Sequence, residues 1–161
     1  MTVCLDVTDT KSTVQWDPWL QDLAERYPRL FGEQTFELGA FINPGWRPIV
    51  ADLMQQLDAL LSDDDARRFL MVQAKEKFGG LRFYWEFDSR GDQHVDLQIG
   101  GQVVHMVQKV DDPSGTSGRI RALVDQASRQ AAQTCEICGR TGRLRQNDWW
   151  ATLCDEHDAQ Q

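Results

Sequence analysis

Two tight pairs of metal-ligand side chains near the end of the chain, Cys135/Cys138 and Cys154/His157, constrain it more than any other feature. The spacing is C-x2-C, 15 intervening residues, then C-x2-H. A C-x2-C loop aims two sulfurs at one point, and a second pair from a later turn completes a tetrahedral set of three thiolates and one imidazole. The stretch predicts one structural zinc ion held by Cys135, Cys138, Cys154 and His157, with Gly139 supplying the sharp turn after Cys138. All four coordination positions are filled by protein, whereas a catalytic zinc keeps one for water. Neither H-E-x-x-H nor the deaminase pattern H-x-E…P-C-x-x-C occurs. A redox-active dithiol is the competing reading, and it lacks the βαβ context of thioredoxin-like motifs. So short a segment cannot fold on its apolar area alone, and metal binding provides the missing folding energy. Ile137, Leu144, Trp149, Trp150 and Leu153 are its expected core.

Upstream, periodicity predicts three helices and two hairpins. "WDPWLQDLAERYP" reads as a helix capped by Asp17, opened by Pro18 and stopped by Pro28. Asn43 caps a second helix with Pro44 at its start, carrying Ile49, Val50, Leu53, Leu57, Leu60 and Leu61 at core spacing. Trp46 falls near its start as a packing residue. "FLMVQAKEKFGGLRFYWEFD" reads as two strands around a Gly79-Gly80 turn, the second alternating Leu81, Phe83, Trp85 and Phe87 with Arg82, Tyr84 and Glu86. "HVDLQIGGQVVHMVQKV" predicts a second hairpin, and "DDPSGTSG" a linker. "SGRIRALVDQASRQAAQT" is a third helix with Ile120, Leu123, Val124, Ala127 and Ala131 on one stripe. Segregated helices and an antiparallel sheet of two hairpins make an α+β fold. The expected division is an α+β domain over 1–134, with 1–15 a flexible arm, and a zinc knuckle over 135–161 packed on it.

Charge adds a clue about partners. Of the net −8, residues 1–65 carry everything, with 12 acidic and 4 basic side chains, while 66–118 hold 7 of each and 119–161 hold 6 of each. A phosphate-binding face has the opposite sign. An acidic face suits a basic protein and speeds encounter with it. Asp63, Asp64 and Asp65 are the candidate contact residues, against the plainer reading of a solvated helix end. Arg140, Arg143 and Arg145 between the ligand pairs offer nucleic acid a foothold, although the module is not basic overall. Lys75, Glu76 and Lys77 read as a solvated strand edge. Cys4, His94 and His105 lie on no motif. No run approaches a membrane span, and "MTVCLDVTDT" lacks the regions of a signal peptide, so a cytoplasmic protein is expected.

"VQAKEKFGGLRFYW", followed by "CEICG" and "W…TLCDEH", resembles a group of small bacterial and phage-associated proteins. These share a KEKFGGLRFY block and a C-terminal CExCG…TLCxxH zinc knuckle, and "GWRPIVADLMQQL" is similar to their GW helix. The resemblance covers roughly residues 44–87 and 119–158. It implies the four ligands Cys135, Cys138, Cys154 and His157 and no activity. The segment 88–118 departs from the group and is a candidate for partner-specific contact. Small acidic proteins of such accessory loci are often inhibitors, including immunity proteins that neutralise a toxin domain. The expected function is therefore a non-enzymatic inhibitor of a basic protein, with a nucleic-acid-associated regulator as the alternative and an enzyme with an unrecognised site as a third possibility.

Overall fold

A computed structural model describes residues 17–31, 42–88, 93–99, 102–108, 115–146 and 149–160, with backbone alone for 93–99 and 102–108. The expected arm at 1–15, Cys4 and the side chains of His94 and His105 lie outside the described residues.

Helix α1 (Pro18–Arg26) starts as its sequence dictates. Asp17 Oδ1 accepts the Trp19 N–H at 2.8 Å, and Pro18 occupies the first position, where no N–H is needed. Pro28 ends α1 but also opens α2 (Pro28–Phe31), a short turn that buries Leu30 and Phe31. A proline that blocks one helix is pre-set for the first position of the next.

Pro44–Trp46 forms a 3-10 turn leading into α3 (Arg47–Leu60). Asn43 precedes it without a capping bond, because its side chain is used elsewhere. Helix α3 buries Ile49, Val50, Leu53, Met54 and Leu57 on one stripe. The run "SDDDARR" does not merely close α3. It forms α4 (Asp63–Arg68), with Ser62 Oγ accepting the Asp65 N–H at 3.1 Å.

Strands β1 (Phe69–Lys77) and β2 (Gly80–Phe87) pair antiparallel, with a bulge between Met71 and Gln73. Their turn is Phe78-Gly79, not Gly79-Gly80: Phe78 has φ +54° and Gly79 φ +70°, while Gly80 already pairs with Lys77. Two positive φ angles are what a two-residue type I′ turn demands, because only that twist matches the flanking strands. Strands β3 (Gln93–Ile99) and β4 (Gln102–Gln108) form the second hairpin. The two hairpins are separate two-stranded sheets rather than one.

Helix α5 (Thr116–Ala131) packs against α3 and β2 and buries Ile120, Ala127 and Ala131. A third hairpin, β5 (Arg143–Gln146) with β6 (Trp150–Leu153), and the short α6 (Asp155–Asp158) finish the chain. The class is thus α+β, and among the described residues the three expected helices are accompanied by three short ones. The core lies between α3, α5 and the inner face of β1–β2, where Leu53, Leu57, Met71, Ala74, Leu81 and Ile120 are buried. Each large apolar side chain buried there contributes about 1.5–3 kcal/mol. No helix of the described residues is long and apolar enough to cross a membrane.

Candidate metal centre

The first ligand pair sits where α5 unwinds. The Cys135 N–H donates to the Arg140 carbonyl at 2.7 Å, and the Gly139 N–H donates back to the Cys135 carbonyl at 2.9 Å. Gly139 has φ +77°, the left-handed turn that closes the loop and brings Cys138 beside Cys135. The second pair straddles the end of β6. Cys154 leads into α6, whose Asp158 N–H bonds to the Cys154 carbonyl at 3.0 Å, so one helical turn carries His157 back over Cys154.

The four ligand atoms lie within 4.8 Å of one another. Cys138 Sγ is 3.8 Å from Cys154 Sγ, and His157 Nδ1 is 3.3 Å from Cys154 Sγ and 3.5 Å from Cys135 Sγ. A tetrahedral ion with metal–sulfur bonds of about 2.3 Å and metal–nitrogen bonds of about 2.0 Å needs edges of roughly 3.8 and 3.5 Å. Cys135, Cys138, Cys154 and His157 therefore fit one metal ion with no position left over.

The thiols differ in their surroundings. Burial pushes the Cys135 thiol up, with backbone N–H groups opposing. The Cys138 thiol is exposed and is pulled down to about 6, chiefly by Arg140, whose Nε donates to Cys138 Sγ at 3.4 Å. Arg140 also reaches Cys154 Sγ at 3.8 Å.

A second layer welds this site to the rest of the chain. Glu136 is buried and accepts the Asn43 amide at 2.9 Å and the Thr152 N–H at 3.1 Å. Burial raises its carboxyl, against the pull of these donors. Its carbonyl accepts the Gly45 N–H at 2.8 Å, and the Trp46 indole N–H donates to the Thr134 carbonyl at 2.7 Å. Thr152 Oγ1 donates to the Gly79 carbonyl at 2.7 Å. The "GW" turn, the "FGG" turn and the Cys/His segment, far apart in sequence, meet at one junction. Trp46 is fully buried there, as expected of a packing residue.

The expected core of the segment needs correcting. Cys135, Ala151, Leu153 and Cys154 form the buried cluster. Ile137, Leu144, Trp149 and Trp150 are exposed, the tryptophans by 67% and 46%. The ligand set takes the place that large apolar side chains would fill, so those side chains are free to face outward. No sequence signal distinguishes a tryptophan that fills a metal knuckle from one displayed on it.

The knuckle arginines face acids of α6. Arg140 pairs with Glu156, Arg143 with Asp155 at 3.3 Å, and Arg145 with Asp155 and with Asp158 at 2.8 Å. The guanidinium groups hold the Asp155 and Glu156 carboxyls below their usual range. Asp63, Asp64 and Asp65 make up the first turn of α4, away from the ligand cluster. Asp63 pairs with Arg29 at 2.8 Å, Asp64 pairs with Arg67, and Asp65 accepts the Ser62 and Thr116 hydroxyls at 3.0 and 3.2 Å. Their negative charge also suits a helix N-terminus.

No family model matches this chain, and neither does a curated protein or a solved structure.

Proposed function

We propose that the chain is a non-enzymatic binding protein in which Cys135, Cys138, Cys154 and His157 hold one structural zinc ion. The observation that carries this reading is the closed set of four ligand atoms within 4.8 Å, built into the junction of three sequence blocks. Three thiolates and an imidazole in tetrahedral array are a soft donor set that suits zinc. A filled site supports a folding role rather than chemistry on a bound water.

The partner in this reading is a basic protein met by the acidic first 65 residues. Asp63 and Asp64 remain 82% and 88% exposed beside their arginine partners, so their charge is open to a visitor. A basic toxin domain, with this chain as its immunity protein, is the concrete version, and it stands on analogy with small acidic accessory proteins. Binding of nucleic acid through Arg140, Arg143 and Arg145 is disfavoured, since each of these already faces a carboxylate.

Zinc analysis of protein purified without added metal should give about one ion per chain. A metal-free chain with an ordered knuckle would overturn the zinc assignment. Replacing Asp63 and Asp64 by lysine should slow association with the partner and flatten its salt dependence. An unchanged association rate would remove them from the interface.

A further inference from the structure

We propose that the outward face of the β1–β2 hairpin binds single-stranded nucleic acid. The register places Gln73 opposite Tyr84, Lys75 opposite Arg82 and Lys77 opposite Gly80. Their neighbours Ala74, Leu81 and Phe83 point into the core, so Lys75, Arg82 and Tyr84 share the outer face.

The cations on this face are close together and, among the described residues, without acidic partners. Lys75 and Arg82 sit directly across the ladder, an arrangement of like charges that weakens a hairpin. Among the described residues, neither they nor Lys77 form an ion pair, a state they share with Arg68 and the α5 arginines Arg119, Arg121 and Arg129; what sets Lys75 and Arg82 apart is that they face one another across one ladder. Glu76, opposite Leu81, accepts the Gly79 N–H at 2.7 Å and thereby serves the turn, and the acid on the outer face, Glu86, lies two residues beyond Tyr84 at the end of the row away from the turn. The acidic excess of the chain lies in residues 1–65 and leaves 66–118 balanced, with 7 charges of each sign.

Rings alternate with these cations. Tyr84 and Phe78 are 46% and 60% exposed. Lys75 Nζ stands 6.0 Å from the Tyr84 ring centroid and Lys77 Nζ 5.3 Å from that of Phe78. Phe78 is held outward by a left-handed backbone that disfavours a residue with a Cβ, and its ring meets Trp150 edge-on at 6.3 Å. From Tyr84 to Gly80 at the turn the strand advances about 13 Å. The face is therefore a row of ring, cations, ring.

A single strand presents the matching sequence of groups: a phosphate beside each unstacked base. Bases stack on aromatic side chains while cations track the backbone. In a duplex the base faces are already stacked on one another, and an acidic peptide would use the cations but leave the rings idle. This site goes beyond the protein-docking reading and uses a different surface, so either can fail alone.

The test is fluorescence anisotropy of a labelled oligothymidylate with the full, metal-loaded chain over a salt series. Binding should fall with a log–log salt slope of about −2, from three phosphate contacts at about 0.7 each on a single strand. Lys75→Gln, Lys77→Gln and Arg82→Gln should each reduce the slope by about 0.7. Tyr84→Leu should weaken binding about tenfold at unchanged slope. Metal content and unfolding midpoint of each variant confirm that the fold is kept. No binding at low salt would overturn the proposal, as would equal affinity for duplex. Displacement by polyglutamate together with indifference to Tyr84→Leu would also overturn it, in favour of an acidic protein partner.

Discussion

Replacing Gly45 by alanine would put a methyl carbon 2.1 Å from the Cys135 carbonyl oxygen, 2.6 Å from the Gly139 nitrogen and 2.8 Å from the Glu136 carbonyl carbon. All three are backbone atoms of the first ligand loop, so no side-chain rotation relieves the contact. The "GW" turn and the knuckle must separate. Three hydrogen bonds cross that seam: Gly45 N–H to the Glu136 carbonyl, Asn43 to the Glu136 carboxylate, and the Trp46 indole to the Thr134 carbonyl. At about 1 kcal/mol net each, their loss costs roughly 3 kcal/mol. That is a large share of the ~5–15 kcal/mol that holds a domain of this size. Urea unfolding of the metal-loaded protein should show the midpoint shift, and a chromogenic chelator should extract metal faster from Gly45→Ala. Gly118 in α5 is the control, since nothing lies within 4 Å of its added Cβ. Gly118→Ala should be neutral or stabilise by up to about 1 kcal/mol. If Gly45→Ala matches the parent in both midpoint and extraction rate, the knuckle is not anchored through this seam, and the account of the junction is wrong.

Other outcomes follow from the same contacts. Cys138→Ser should bind metal far more weakly in chelator competition and render the 135–160 segment protease-sensitive, since a structural metal supplies folding energy. Thr152→Val leaves the Gly79 carbonyl without its 2.7 Å donor in a buried place, and should cost about 1–3 kcal/mol in urea unfolding.

Much of this molecule is legible in its sequence because the signals are local. Asp17-Pro18 caps and opens α1, the apolar stripes place α3 and α5, and alternation in β2 places the β1–β2 hairpin. The C-x2-C and C-x2-H pairs declare a single metal set because each pair is closed by one turn of chain. Short elements were harder. Pro28–Phe31, Asp63–Arg68 and the β5–β6 hairpin span too few residues for a period to emerge, and tertiary packing stabilises them. The turn residue that exposes Phe78 was hidden behind two adjacent glycines, since either pair satisfies composition and only strand register selects one.

The sequence by itself thus determined the three long helices, the first two hairpins and the four candidate ligands, all set by interactions within a few residues. The tertiary structure alone decided what they do together. It brought Gly45, Gly79 and Glu136 to one seam, matched the knuckle arginines with α6 acids, and turned Trp149 and Trp150 outward. Those outcomes depend on which backbone lies against which, and on a Cys/His cluster able to hold a metal ion taking the space of a hydrophobic core. Such facts are set by distance in space, and periodicity along the chain carries no record of them.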